Sequence, residues 1–98
     1  QIFPKYPKFS AFRHKKNEKW FALLMEISAS KLGLKSDEMT EVLNLKCSPD
    51  LAMVLVDEQQ IFKAYHMNKK HWISVNLSSK IAPGQVEDLI DLSFELTR

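Results

Sequence analysis

Three histidines and one cysteine are the side chains of this 98-residue sequence best suited to metal binding or acid–base chemistry. His66 and His71 flank a predicted turn, and no carboxylate or thiol lies beside them in sequence. A zinc site needs three or four converging ligands, so these histidines and Cys47 would have to meet through the tertiary fold alone. We therefore expect no metal and no cofactor, and we interpret the histidines as strand-end residues that hydrogen-bond locally.

Cys47 is also a candidate nucleophile. It follows Lys46 and precedes a predicted helix N-terminus, and both features favour the thiolate. We favour the other interpretation of Cys47, a small residue packed at a strand-to-helix corner. The sequence has no Gly-x-Ser-x-Gly elbow and no pair of carboxylates near a histidine, and its two glycines are too few for a phosphate-binding loop. We therefore predict a binding protein and not an enzyme.

The lysines point to a class of partner through their uneven distribution. The formal net charge is only +2, but residues 1–20 carry six Lys or Arg against one Glu, and residues 61–80 carry four Lys and no acid. Lysines on exposed turns neutralise phosphates and release counterions, although they also serve simply to keep turns solvated. The candidate nucleic-acid-binding residues are Lys15, Lys16, Lys46, Lys63, Tyr65, Asn68, Lys69, Lys70, His71 and Trp72.

The aromatic neighbours of these lysines have two interpretations. If they are exposed, Trp20, Tyr65 and Trp72 would stack on bases; if they are buried, they brace the hairpins. Arginine, the main reader of guanine edges, occurs only as Arg13 and Arg98, so we expect low sequence specificity.

Two predicted β-hairpins hold the candidate residues. Residues 10–15 and 19–29 are typical of strands joined by Lys16-Asn17-Glu18, where Asn tolerates the left-handed backbone of a tight turn. Residues 61–66 and 71–77 form the second predicted pair, joined by a turn over residues 67–70. A further short strand is predicted over residues 42–46, after a loop over residues 31–40.

Two helices complete the predicted elements. Ser48 suits the N-cap and Pro49 the first turn of a short, largely buried helix that ends near Asp57. A last helix begins near Pro83. Its predicted inner face comprises Val86, Leu89, Ile90 and Phe94, broadened by Leu92 and Leu96, and its outer face is acidic. About five strands and two helices predict one α+β domain over residues 1–98, a two-layer α/β sandwich whose antiparallel sheet is covered on one face by helices.

Four stretches resemble a known family in their order and spacing. They are Lys19-Trp20-Phe21-Ala22, Asn44-Leu45-Lys46-Cys47-Ser48-Pro49, Ala64-Tyr65-His66-Met67-Asn68-Lys69-Lys70-His71-Trp72-Ile73 and Leu89-Ile90-Asp91-Leu92-Ser93-Phe94-Glu95-Leu96. Together they resemble the MmcQ/YjbR family over nearly the whole chain. The resemblance implies a frataxin-like (CyaY-like) α/β sandwich and DNA binding through a double-wing arrangement.

The sequence departs from the family pattern at two places. Members usually begin with a helix that packs beside the C-terminal helix, and the residues before Pro4 do not supply it. We expect that this helix was trimmed away or that the extended N-terminal segment takes part of its place. Lys63 stands where the family commonly has proline, which adds a positive charge beside the Ala-Tyr-His motif.

Two absences in the sequence predict a cytoplasmic protein. A single cysteine cannot form an intramolecular disulfide, which suits a reducing compartment. The longest apolar run, Trp20 to Met25, is far shorter than the roughly 20 residues that span a bilayer, so no membrane association is expected.

The sequence-based hypothesis is a non-enzymatic domain that contacts nucleic-acid backbone, DNA in the first instance, through basic hairpin turns. It requires that the turns near Asn17 and Asn68 lie at one edge of the molecule. Two alternatives stay open. One is a protein–protein adaptor that docks through an aromatic segment, and the other is a small-ligand site around Cys47 and His66. The segment comprises Phe3, Tyr6 and Phe9.

Overall fold

The computed structural model describes residues 9–65 and 67–98. In that part of the chain, five strands form one antiparallel sheet in the order β1-β2-β3-β5-β4. The elements in chain order are β1 (Phe9–Arg13), β2 (Trp20–Ser28), a 3₁₀ helix (Ala29–Leu32), β3 (Met39–Lys46), α1 (Pro49–Leu55), β4 (Ile61–Lys63), β5 (Trp72–Asn76) and α2 (Pro83–Thr97). The predicted α+β class is confirmed.

Both helices cover the same face of the sheet. Side chains alternate between the two faces of a strand, and on this face Leu45 pairs with Ile73 across the centre of the sheet. Ala52 of α1 and Leu89 of α2 are buried in the same apolar cluster. The predicted covering of one face by helices is therefore confirmed, whereas the frataxin-like description of the sandwich stays a prediction.

The other face of the sheet has a buried polar centre. The Ser74 hydroxyl donates to Asn44 Oδ1 at 2.5 Å and accepts from the Tyr65 backbone N–H at 2.9 Å. Asn44 Nδ2 donates to the Tyr65 carbonyl oxygen at 2.9 Å. Because buried polar groups are costly unless paired, these bonds hold the segment after β4 against β3 and β5.

The third strand is longer than the sequence predicted. It begins at Met39 and not at Val42, because Ser28 and Ile27 of β2 extend the pairing to Met39 and Thr40. Part of the predicted loop is therefore strand, and a 3₁₀ helix precedes it. That helix ends at Gly33, whose φ of 89° lies in the left-handed region that glycine adopts most readily.

The start of α1 was predicted correctly, but its burial was not. Ser48 caps the helix by accepting the Leu51 backbone N–H at 3.4 Å, and Pro49 occupies the first turn. The helix ends at Leu55, two residues earlier than expected. Because so short a helix turns only one side to the sheet, Met53 and Val54 are 84% and 80% exposed.

The inner face of α2 also differs from the prediction. Leu89 is buried, but in the second half of the helix the buried positions are Ser93 and Thr97. Phe94 and Leu96 are 40% and 44% exposed. The spacing that places Leu89 inward also places Ser93 and Thr97 inward, and polar side chains fit there because they bond to backbone groups and to His14.

Neither α-helix in the described part of the chain combines the length and apolarity required to span a membrane.

Candidate nucleic-acid interface

Both predicted hairpin turns lie at the same end of the sheet. The first turn (residues 14–19) leads into Trp20, where β2 begins. Since β3 is antiparallel to β2, it ends at Lys46 beside that start, and Lys46 pairs with Trp72 at the beginning of β5. β4 ends at Lys63, where the second turn begins; the structure describes all of residues 64–71 except residue 66.

We call this surface the basic end. Its cations are Lys15, Lys16, Lys19, Lys46, Lys63, Lys69 and Lys70. Three strand spacings separate the centres of the two turns, about 14 Å at roughly 4.8 Å per spacing. That distance is close to the ~12 Å width of the DNA major groove, so one duplex can meet both turns.

Acidic side chains are sparse at the basic end. Glu18 lies in the first turn and Asp50 at the start of α1. Because α2 runs toward this end, Glu95 also lies near it, where it forms an ion pair with Arg98 Nε at 3.2 Å. The opposite end of the sheet has mixed charge. The exposed charged residues there include Lys35, Asp37, Glu38, Asp57, Lys80, Glu87 and Asp88.

The first turn is anchored to the end of α2. His14 is buried, and its Nε2 lies 2.7 Å from Thr97 Oγ1. Thr97 Oγ1 also lies 2.8 Å from the Ser93 carbonyl oxygen, so its hydroxyl links His14 to the backbone of α2. Asn17 Nδ2 donates to the Thr97 carbonyl oxygen at 3.3 Å. The interpretation of His14 as a locally bonded residue was wrong, because its partner lies 83 residues away.

The backbone of the first turn also differs from expectation. Glu18, with φ 60°, adopts the left-handed conformation that the sequence predicted for Asn17. The Asn17 side chain instead accepts the Lys19 backbone N–H at 2.9 Å through Oδ1. Lys15 and Lys16 are exposed, so their ammonium groups are accessible to a partner.

Asn68 and Lys69 build the second turn. Asn68 Oδ1 accepts the Lys70 backbone N–H at 2.8 Å and the His71 backbone N–H at 3.3 Å. Lys69 Nζ donates to the Ala64 carbonyl oxygen at 2.6 Å. These bonds give Asn68 and Lys69 a structural part in the turn, and all four residues from Asn68 to His71 are exposed. His71 belongs to the turn and not to the strand predicted over 71–77.

The tryptophans at the basic end brace the sheet. Trp72 is only 9% exposed, so of its two interpretations the structure favours the one in which it braces the hairpin. Trp20 and Tyr65 are half-buried. Trp20, Lys46 and Trp72 line a shallow depression of about 320 Å³ between the two turns. Lys46 is half-buried there. Lys63 is exposed and lines a smaller pocket of about 260 Å³ with Lys69, and Lys31 and Glu58 line the same pocket.

Cys47 is a packed corner residue and not a reactive thiol. It is 1% exposed, and its backbone N–H donates to the His71 carbonyl oxygen at 2.8 Å. Burial raises the pKa of the thiol and outweighs the lowering effect of a hydrogen bond from the Ser48 backbone. The burial agrees with the interpretation of Cys47 as a small residue packed at a strand-to-helix corner, and not with a thiolate favoured by Lys46 and the helix N-terminus.

We therefore expect Cys47 to react with a thiol reagent at neutral pH on the order of 100-fold or more slowly in the folded protein than in urea, because labelling requires the core to open. The labelling reaction releases thionitrobenzoate, and the rise in its absorbance measures both rates. As a control, Ser48→Cys in a Cys47→Ala background places a thiol at the neighbouring exposed position and should react rapidly. Equal rates for Cys47 in the folded and unfolded chain would contradict the burial.

Two functional residues escaped the sequence-based reasoning. Ser93 is fully buried; its hydroxyl donates to the Phe21 carbonyl oxygen at 2.5 Å and accepts the Lys46 backbone N–H at 2.8 Å. Thr97 holds the first turn through His14 and Asn17. The available signal was their helical spacing from Leu89, which places both on the inner face.

The residues of the two alternative hypotheses fall largely outside the described part of the chain. These are Phe3, Tyr6 and His66, together with the side chain of Phe9. Among the residues that the structure describes, no three His, Cys, Asp or Glu side chains gather as metal ligands would.

The comparisons with known proteins identify the family. The family model described as YjbR matches residues 2–96. The chain belongs to the YjbR family. The uncharacterized protein YyaQ of Bacillus subtilis is 40% identical over 94 residues, which cover 96% of this chain and 80% of YyaQ. The uncharacterized protein YjbR of Escherichia coli K12 is 32% identical over 63 residues, covering 63% of this chain and 53% of that protein.

A solved structure supports both the YjbR family and the fold. The crystal structure of a Pseudomonas syringae protein is 43% identical and superposes with a TM-score of 0.96, covering 100% of this chain and 84% of that one. The predicted membership of the MmcQ/YjbR family is therefore confirmed. The names of these YjbR-family relatives specify no activity or partner.

Proposed function

We propose that this YjbR-family chain is a non-enzymatic nucleic-acid-binding domain that contacts the phosphate backbone of DNA through the basic end. The observation that carries the proposal is the strand order, which brings both basic turns and Lys46 to one end of the sheet. Phosphate contacts give affinity without sequence information, so the binding is of low specificity.

The contacts divide between the two turns and the strand ends between them. Lys15 and Lys16 contact phosphates from the first turn, and Lys70 and His71 from the second. Lys46 and Lys63 lie at the ends of β3 and β4 and add charge between and beside the turns. Asn68, Lys69 and Trp72 support these residues from within the turn and the core.

The proposed role requires no catalytic group. The Cys47 thiol is buried with a raised pKa, and His14 Nε2 is held by a threonine hydroxyl within the fold. His71 lies on an exposed turn. We also place the domain in the reducing cytoplasm, because the chain's one cysteine is buried as a free thiol.

A salt titration tests the proposal. We expect the logarithm of the affinity for a DNA duplex to fall linearly with the logarithm of the salt concentration, with a slope of about −3 to −5 if three to five lysines each neutralise one phosphate. Fluorescence anisotropy of a labelled duplex measures the affinity.

Two results of the same titration would count against the proposal. One is absence of binding at low salt, and the other is affinity that does not change with salt. A duplex of unrelated sequence serves as the specificity control and should bind with a similar affinity and slope.

A further inference from the structure

The pocket lined by Lys63 and Lys69 lies at the β4 edge of the sheet, and we call it the edge pocket. Its volume is about 260 Å³, slightly below the roughly 300–1,000 Å³ of sites that take drug-sized ligands, so its ligand must be small. Phe62 lines it and pairs with Ser74, whose hydroxyl belongs to the sheet face opposite the helices. No residue of β1 or α2 lines the pocket, so a further helix packed beside α2 would not cover it.

The edge pocket combines an apolar lining with an excess of positive charge. Its apolar and aromatic residues are Leu32, Val56, Phe62 and Tyr65. Its charged residues are three lysines and one glutamate, with a formal charge of +2; these are Lys31, Lys63, Lys69 and Glu58. In the part of the chain that the structure describes, none of the three lysines forms an ion pair. Their charge is therefore not neutralised within the fold.

Hydrogen bonds hold two sides of the edge pocket in place. Lys69 Nζ donates to the Ala64 carbonyl oxygen at 2.6 Å, which fixes the ammonium group and leaves its other N–H groups for a ligand. On the other side, Asp57 Oδ1 accepts the backbone N–H groups of residues 59–61, and these bonds hold Glu58 at a φ of 58°. Non-glycine residues in this left-handed region are strained, and they cluster at ligand sites. Because both sides are already ordered, a ligand binds without the cost of ordering them.

We propose that the edge pocket binds a small phosphate monoester. Its three lysines hold the phosphate, and the half-buried Leu32, Val56 and Tyr65 contact an apolar or aromatic body. A phosphate monoester carries a charge of about −1.5 to −2 at pH 7, which matches the excess charge of the pocket, whereas a carboxylate carries a single charge. The proposal goes beyond the proposed function and does not depend on it, because Lys31 lies outside the basic end.

Phenyl phosphate is the probe, since it combines a ring with a phosphate monoester. Titration of the isotope-labelled full chain with phenyl phosphate should shift the amide NMR signals of residues 31–32, 56–58 and 62–65 and leave those of residues 14–19 unchanged. Inorganic phosphate lacks the ring and should bind about tenfold more weakly, because burial of a ring contributes roughly this factor. Benzoate keeps the ring but carries a single charge, so it should also bind more weakly than phenyl phosphate.

Lys31→Gln tests the edge pocket without changing the basic end. It removes one of the three phosphate ligands and should weaken phenyl phosphate binding about 5- to 10-fold, the effect of losing one charge-assisted hydrogen bond at an exposed site. Lys35→Gln is the matched control, because Lys35 is exposed and does not line the pocket; it should change the affinity by less than about twofold. Glu58→Gln removes the one negative charge of the lining and should strengthen binding about threefold.

The same titrations give the results that would overturn the inference. These are the absence of saturable shifts at the lining residues, equal losses of affinity in Lys31→Gln and Lys35→Gln, and binding of inorganic phosphate as tight as that of phenyl phosphate. A Lys31→Gln chain that loses affinity for phenyl phosphate but binds a DNA duplex as the unaltered chain does supports a site separate from the basic end.

Discussion

Replacing both Lys16 and Lys70 by glutamate is expected to weaken binding to a DNA duplex by on the order of a hundredfold at about 0.1 M salt. Each phosphate contact contributes about 0.9 to the slope of log affinity against log salt, so two lost contacts correspond to about two orders of magnitude and to a slope shallower by roughly 2. The pair takes one exposed lysine from each turn and avoids Lys69, whose ammonium group supports the turn. Anisotropy titrations at several salt concentrations measure both quantities.

The opposite end of the sheet provides a control of equal charge. Lys35 and Lys80 are exposed there, and the double replacement Lys35→Glu with Lys80→Glu changes the net charge by the same amount. If binding depends on the basic end, the affinity of this control variant for the duplex should fall only a few-fold, because the substitutions weaken only the long-range electrostatic attraction of the protein. Equal losses in the two double variants would mean that net charge matters and the placement of the turns does not.

Ser93→Ala is expected to lower the free energy of unfolding by about 2–4 kcal/mol, the largest stability change that we predict. The substitution removes the hydroxyl that pairs the Phe21 carbonyl oxygen and the Lys46 backbone N–H, and both of these part-buried backbone groups lose that partner. Urea denaturation followed by tryptophan fluorescence measures the change. Ser36→Ala is the control, since Ser36 is exposed and its hydroxyl accepts the Glu38 backbone N–H at 3.1 Å.

Ser93 matters because the pairing of β1 with β2 is irregular at this point. Phe12 pairs with Ala22 and Arg13 pairs with Trp20, so Phe21 is an extra residue in β2. The Ser93 hydroxyl satisfies the Phe21 carbonyl oxygen and thereby ties α2 to the base of the first turn. A loss of stability in Ser93→Ala no larger than in Ser36→Ala would contradict this role.

Local sequence features predicted most elements of the fold. Alternation of apolar residues indicated β5, and Ser48 with Pro49 marked the start of α1, because both signals act within a few residues. The length of β3 was missed because Met39 becomes strand only through its pairing with Ser28 of β2. Tertiary pairing decided that boundary, and no local propensity reports it.

The sequence predicted which charged residues belong to the candidate site, but it could not predict how they are arranged in space. The lysines of the two turns are evident in the sequence, but their meeting at one end depends on the insertion of β3 between β2 and β5. The burial of Trp72 and the bond from His14 to Thr97 likewise depend on residues far away in the chain. Sequence patterns therefore identified the cations but could not separate those that contact a partner from those that build the turns.

The central claim is that a single DNA molecule contacts both turns at once. The most direct measurement is a titration of the isotope-labelled chain with a DNA duplex at low salt, followed by the amide NMR signals. We predict that signals from residues 14–19, from Lys46 and from residues 67–71 shift along one common binding curve, while those of residues 33–38 and 56–60 do not. Shifts confined to one turn, or shifts concentrated at the opposite end of the sheet, would contradict it.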